Sequence, residues 1–399
     1  MLTFNPKWRN CQRCICRSVP APPQPFQRSH KSSQSGKMQS TGILPAEIPI
    51  SFFCCSPVRA IAVLKNRLIW SASAVAAAAI ANAVRDRGSF QFRGRCVLIT
   101  GGSRGLGFLL AQEFARRGAR VAIVARDREE LWRAARQLRR ITRNVLPIAA
   151  DLMSRKDIEA AVAKVERKFG AVDVLVNNAG IISVGPLDTS TPADYQNSLN
   201  THFWAPYHAT MAVLPEMRRR KQGRIVNISS IGGKISVPHL LPYSVGKFAL
   251  TAFSEGLRAQ LLQHKIYVTT VCPGLMRTGS PRNATFKGKH RKEYAWFSIS
   301  DSLPLISMSA DRAALQIVNA CARGEAELVL STPAKLAVLL NGLFPGATAN
   351  LMALFNYMLP GPGGIGRNAR KGKESFSFLS PSLVTVLTER AALRNNQVA

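Results

Sequence analysis

Tyr243 and Lys247 stand four residues apart in YSVGK, one turn along the same face of a helix. A free phenol titrates near about 10, too high to serve as a base near neutrality without help. An ammonium one turn away would favour the phenolate, so the pair could exchange a proton with a bound molecule. A lone Tyr-x-x-x-Lys more often means a core tyrosine and an exposed lysine, so its surroundings must decide. A second chemical signal lies upstream in ITGGSRGLG, Ile99 to Gly107, with four glycines in nine residues. Glycine weakens strands and helices alike, yet this cluster separates the strand-like Cys96–Ile99 from the helix-like Phe108–Ala111. Such a loop lets backbone approach phosphates at a helix N-terminus. The spacing Gly101-x-x-x-Gly105-x-Gly107, led by Thr100, differs from the commoner G-x-G-x-x-G.

The elements needed to position these residues follow from the hydrophobic pattern. Strands are expected at Cys96–Thr100, Arg120–Val124, Val145–Ala149, Val172–Asn177, Arg224–Ile228, Ile266–Cys272 and Glu327–Leu330. Helices fit between them, among them Gly105–Arg117, Asp127–Arg143, Arg155–Phe169 and Tyr243–Gln263. This alternation predicts an α/β fold: a Rossmann-like, doubly wound, parallel seven-stranded sheet with helices on both faces.

In that order and spacing, Thr100-Gly101-Gly102-Ser103-Arg104-Gly105-Leu106-Gly107, Asp151-Leu152, Asn177-Asn178-Ala179-Gly180, Asn200, Ser230, Tyr243-Ser244-Val245-Gly246-Lys247 and Pro273-Gly274 with Thr278 resemble the short-chain dehydrogenase/reductase superfamily. The resemblance runs from roughly Arg93 to Ser331. It implies hydride transfer between a nicotinamide cofactor and a carbonyl or alcohol. Tyr243 would then be the acid/base, and Lys247 would tune it and hold the nicotinamide ribose. Ser230 would polarise the substrate oxygen, with Ser229 turned away by strand alternation. Asn200 would link Lys247 to solvent, although Phe203 stands where the family often has a small residue. The cofactor would rest on Gly101, Ser103, Arg104, Gly105, Leu106 and Gly107. Asp151 and Leu152 would border the adenine, Asn178, Ala179 and Gly180 the ribose side, and Pro273, Gly274 and Thr278 the carboxamide. Position 125 holds Ala rather than an acid, and Arg126 follows it. With Arg104 this favours NADP(H), with NAD(H) as the alternative.

The chain has 399 residues and a formal charge of +32. Residues 1–95 hold fourteen basic residues against Glu47 and Asp86 alone. Such an excess suits anionic partners, including lipid surfaces and phosphorylated cofactors, or marks solvated faces. No nucleic-acid motif accompanies it, so no nucleic acid is expected. Cys11-x-x-Cys14 has no matching pair at zinc spacing, so no metal is expected; Cys96, Cys272 and Cys321 suit a core. Residues 1–60 are expected to be disordered or a basic targeting segment, and 61–90 an apolar helix. Within the latter, Leu68–Val84 is uncharged for seventeen residues between flanking cations, a candidate membrane anchor. The catalytic domain is expected over 91–332, an apolar helical extension over 333–366 and a loose polar tail over 367–399.

Arg133, Arg136, Arg140 and Arg143 would form one basic stripe, suited to lipid headgroups or simply solvated. Phe286, Tyr294, Trp296 and Phe297 would either admit a lipophilic substrate or pack on the core. The expected protein is a membrane-associated NADP-dependent oxidoreductase with its catalytic domain in the cytoplasm, or else a cytoplasmic one. Its partner is a small carbonyl or alcohol, and a homo-oligomer is left open. The alternatives are an NAD-dependent alcohol dehydrogenase and a non-catalytic NADP(H)-binding regulator.

Overall fold

The computed structural model describes residues 89–304, 306–377, 380 and 385–398. The segment 1–60, the candidate anchor Leu68–Val84 and Cys11-x-x-Cys14 lie outside the described residues. Seven strands build one sheet: β1 (Cys96–Thr100), β2 (Arg120–Ala125), β3 (Val145–Ala149), β4 (Val174–Asn177), β5 (Gly223–Ile228), β6 (Ile266–Pro273) and β7 (Glu327–Leu330). Their order is β7-β6-β5-β4-β1-β2-β3, and every neighbouring pair is parallel. This is the doubly wound sheet expected from the alternating pattern.

Strand alternation sorts side chains onto two faces. Val97 and Ile99 of β1 join one buried cluster with α1 (Gly105–Arg116), α2 (Arg128–Leu138) and α8 (Ala310–Arg323). Cys96 and Leu98 join the other with α3 (Arg155–Phe169), α5 (Ala205–Arg220) and α6 (Leu241–Leu261). Between α3 and α5 come α4 (Pro192–Leu199) and a π turn, Asn200–Trp204. The remaining helices are α7 (His290–Ser302), α9 (Thr332–Leu343), α10 (Pro345–Tyr357) and α11 (Val386–Arg394). Among the described residues no helix is long and apolar enough to cross a membrane.

Two expectations change. Helix α2 is capped by Asp127, which accepts the Glu130 N–H at 2.9 Å, and it ends at Leu138, its last buried position. Arg140 and Arg143 therefore lie beyond the helix, and the four-arginine stripe does not form. The tail is not loose either. Ala391, Ala392, Asn395 and Asn396 are buried, because α11 packs on α7 and carries the segment behind it into the domain.

At the N-terminal end of the sheet, buried Asp173 holds the strand ends together. Its carboxylate accepts the Cys96 N–H at 2.9 Å and an Arg220 N–H at 2.7 Å, while Arg220 also donates to the Val172 carbonyl. Replacing Asp173 by Ala strands the buried Cys96 N–H, which can cost about 1–3 kcal/mol, while Arg220 keeps the Val172 carbonyl and Glu216. Urea unfolding of Asp173→Ala should show a lower midpoint at an unchanged slope; an unaltered midpoint would rule the clamp out.

Candidate active site

The sheet order reverses between β1 and β4, so their C-terminal ends open a crevice where ligands of such sheets bind. Thr100 sets its floor. Its hydroxyl donates to the Val176 carbonyl at 3.3 Å and accepts the N–H groups of Asn178 at 3.0 Å and Ala179 at 3.2 Å. Asn178 returns the contact, its side-chain amide donating to the Thr100 and Gly101 carbonyls at 3.1 and 3.0 Å. A Cβ on Gly107 would collide with the Gly101 carbonyl and the Asn178 amide, so α1 can start this close to β1 only with glycine there. Gly105 has φ +57° and begins the helix, aiming its N–H where a diphosphate would lie.

That N–H is already engaged. The Asn395 carbonyl accepts it at 2.9 Å, and a Cβ on Gly105 would meet the Gln397 amide nitrogen at 2.6 Å. The Asn396 side chain donates to the Ser103 carbonyl at 2.7 Å and the Glu130 carbonyl at 3.1 Å. The Asn395 amide donates to the Thr278 carbonyl at 3.3 Å. The C-terminal segment thus lies along the glycine loop and reaches Thr278. Sequence inspection could not have found this, since the contact spans nearly 300 residues.

Around the loop, Ser103 donates to Glu130, and Arg104 pairs with the same carboxylate at 2.8 Å. Arg126 is exposed beyond Ala125 at the end of β2. Lys371, which sequence reasoning missed, joins this corner: its amine is lowered by burial first, then by the charges of Arg104 and Arg126. Asp151 is exposed at the end of β3, accepting the Met153 N–H, with Leu152 beside it. Gly180 follows the Asn178–Ala179 turn against His202 and Lys247. Pro273 ends β6, Gly274 donates to the Leu330 carbonyl, and Thr278 is buried.

Tyr243 and Lys247 sit near the start of α6. The Lys247 amine is buried, donates to the Ile228 carbonyl at 2.8 Å and lies 5.7 Å from the centre of the Tyr243 ring. Ser230 follows β5 by two residues, accepts the Gly232 N–H at 3.0 Å and is hydrogen-bonded to the Tyr243 hydroxyl. Ser229 turns away toward Thr251 and the Lys247 carbonyl. The electrostatics differ from the simple expectation of a lysine-favoured phenolate. Burial pushes the Tyr243 hydroxyl up to about 12 against the lowering hydrogen bond with Ser230, and draws the Lys247 amine down to about 7. Desolvation dominates both shifts, and for Lys247 one carbonyl replaces little of the ammonium's hydration.

The structure brings His202, and not Asn200, onto this pair. Asn200 accepts a hydrogen bond from exposed Gln196 at 2.8 Å. Two residues on, inside the π turn, His202 is fully buried and packs edge-on to Tyr243 with ring centres 5.3 Å apart. Its Nε2 lies 2.9 Å from the Ile181 carbonyl and so carries the proton; Nδ1 is buried without a partner among the described residues. Burial first, then the Lys247 charge, holds this imidazole well below its ordinary value, so it stays neutral. Phe203 turns outward into a cluster with Trp204, Tyr207 and Phe253.

Beyond Tyr243 lies an apolar wall. Ile182, Val237, Tyr243 and Trp296 pack on a buried cluster containing Phe286, Tyr294 and Phe297. Three of the four aromatics in this interval therefore serve the core, and Trp296 alone remains partly open. Glu293 holds the wall together, accepting from the Trp296 indole at 2.6 Å and facing His239 Nδ1 at 2.9 Å.

A glycine loop at the sheet reversal with Ser, Tyr and Lys gathered beside it defines the architecture of a nicotinamide-dependent oxidoreductase. Residues 95–287 match the family model for short chain dehydrogenases. The chain is 34% identical over 268 residues to dehydrogenase/reductase SDR family member 7B of Bos taurus, covering 65% of this chain and 81% of that one. A short-chain dehydrogenase from Streptomyces avermitilis superposes with a TM-score of 0.57 at 29% identity, over 66% of this chain and 97% of its own. L-sorbose reductase from Gluconobacter frateurii, solved with NADPH and L-sorbose, gives 0.54 at 28% identity, over 60% and 96%. The chain belongs to the short-chain dehydrogenase/reductase family, whose members act on alcohol or carbonyl groups with nicotinamide cofactors.

The loop fits a dinucleotide, since its glycines leave room that a Cβ would fill. One N–H cannot serve a diphosphate and the Asn395 carbonyl together. Removing residues 395–399 while leaving α11 in place should therefore tighten NADPH binding. With two or three bonds released at about 0.5–1.5 kcal/mol each, fluorescence titration should read a gain of roughly tenfold or more. An unchanged dissociation constant would show that the segment does not compete.

Proposed function

We propose that this protein is an NADP(H)-preferring carbonyl reductase acting on lipophilic substrates. The observation that carries the reading is the convergence of Ser230, Tyr243 and Lys247, with His202, at the mouth of the glycine-loop crevice. The bound nicotinamide supplies or takes the hydride. Tyr243, raised further by burial, is a neutral phenol near neutrality, the form that gives a proton to a substrate oxygen. Ser230, hydrogen-bonded to the Tyr243 hydroxyl, would turn its hydroxyl to polarise that oxygen. Lys247 would hold the ribose, and the bare Nδ1 of His202 supports a role in relaying protons from Lys247, the role the sequence suggested for Asn200.

Preference for the 2′-phosphate rests on Ala125 in place of an acid and on Arg126 and Lys371 beside it. Arg104 contributes less, because Glu130 already pairs with it. The apolar wall of Ile182, Val237 and Trp296 supports a lipophilic substrate. The aromatic cluster around partly exposed Trp204 supports a homo-oligomer.

Two substitutions test this reading. Tyr243→Phe removes one oxygen and keeps the ring, so carbonyl-dependent NADPH oxidation should fall by at least about 10²-fold while NADPH affinity holds. Retention of more than about a tenth of the turnover would assign the proton to another group. Arg126→Asp should move the binding preference toward NADH by about 1–3 kcal/mol. Equal affinities of the unaltered protein for NADPH and NADH would overturn the preference.

A further inference from the structure

Helices α9 and α10 turn their apolar side chains away from the domain. On α9, Leu336, Leu339, Leu340 and Leu343 have the spacing that ordinarily marks a buried face. Here these four are 44–61% exposed, and Ala334 is the helix's single buried residue. Helix α10 buries no residue; Leu351 and Leu354 along it and Met358 at its end are 58–72% exposed. Phe344 joins the two helices, also exposed. An apolar surface this continuous marks a docking face.

Charge identifies what docks. From Leu328 to Gly366 the sole charged residue is Lys335, and no acid stands between Glu327 and Glu374. The chain then returns to the body: the Gly288 N–H donates to the Gly366 carbonyl and the Ile365 N–H to the Gly288 carbonyl, both at 2.9 Å. Arg370–Lys371 pairs with Thr285–Phe286. This return sets exposed Arg367 and Arg370 beside exposed Lys289, Arg291 and Lys292. The hairpin is apolar and uncharged along most of its length, and its base is ringed by cations. A second copy of the chain would bring like-charged rims together, which disfavours self-pairing.

Helices of 12 and 13 residues are about 18 and 20 Å long, well short of a ~30 Å hydrocarbon core. They can lie in a membrane surface but cannot cross it. We propose that the α9–α10 hairpin seats its leucine face in one leaflet of an anionic membrane, with the basic rim on lipid phosphates. Phe355 of α10 packs edge-on to Trp296 with ring centres 6.3 Å apart, and Trp296 belongs to the apolar wall beside Tyr243. The docked face thus adjoins the mouth of the substrate site. This last link rests on the lipophilic-substrate reading above; the docking itself does not.

The test uses the full chain with vesicles of phosphatidylcholine, with and without phosphatidylserine. Hydrogen exchange followed by mass spectrometry should show residues 332–358 slowed by the phosphatidylserine vesicles. Combining Leu339→Glu, Leu343→Glu and Leu354→Glu should cut vesicle-bound protein in flotation by at least roughly tenfold, and these exposed positions should not disturb the core. Arg367→Glu with Arg370→Glu should abolish the preference for phosphatidylserine. Protein that floats while exchange over 332–358 stays unchanged overturns the proposal, because another segment then holds the membrane. So does a dimer by light scattering that the triple variant converts to monomer. NADPH-dependent reduction of a water-soluble ketone without vesicles reports separately on the catalytic reading.

Discussion

The hydroxyl of Thr100 is the constraint on which the site depends. It bonds β1 to the turn leaving β4 at the one place where the sheet changes its direction of growth. With the two strand ends tied, the glycine loop and the Asn178–Ala179–Gly180 turn become opposite banks of a single crevice. Gly180 then abuts His202 and Lys247, so the same anchor fixes the distance between cofactor crevice and proton-exchanging side chains. A buried chain of amides and hydroxyls runs beneath. Asn177 donates to Asn227 at 2.8 Å, Asn227 to Ser254 at 3.0 Å, and Thr270 to Ser254 at 2.7 Å. These bonds cross β4, β5, β6 and α6 and are fully satisfied along that path except at Asn177 Oδ1. Satisfied polar networks of this kind rigidify a core and leave the groups above them little freedom.

The strands were legible because each is an apolar run bounded by polar turns, and most strand boundaries fall within a residue of the expected ones. The crevice was legible because glycines in that spacing serve few other purposes. His202 escaped notice for a physical reason: one extra residue in a π turn reorients a side chain without changing composition or visible periodicity. Asn200 has the attractive chemistry, yet its side-chain oxygen is taken by Gln196 on the helix before it. The aromatics of the 286–297 interval were ambiguous, since core packing and substrate contact call for the same residue types. The terminal segment escapes a sequence reading because its polarity points to solvent. Asn395 and Asn396 instead satisfy backbone groups of the glycine loop, a use of polarity that needs the folded partner to be seen.

Desolvation governs the chemistry more than charge pairing does. The same burial that raises Tyr243 leaves Lys247 only partly protonated near neutrality and, with the Lys247 charge, holds His202 neutral. A negatively charged ligand entering the crevice would reverse part of this by favouring the ammonium. The site is therefore electrostatically unfinished until it is filled, and its proton inventory depends on occupancy.

The Asn395 carbonyl on the Gly105 N–H makes the far end of the chain an intramolecular competitor. Its effective concentration is set by the tether and by the docking of α11, and is independent of how much protein is present. Nucleotide affinity then becomes the product of an intrinsic constant and the fraction of molecules with the segment released. If that fraction were about one in a hundred, the apparent affinity would fall by about two orders of magnitude without any change in the crevice. A nick, a bound partner or a substitution anywhere along α11 would be read out as a change in cofactor affinity. Two proteins with identical glycine loops could thus respond to quite different cofactor levels, the difference written near the C-terminal end of the sequence.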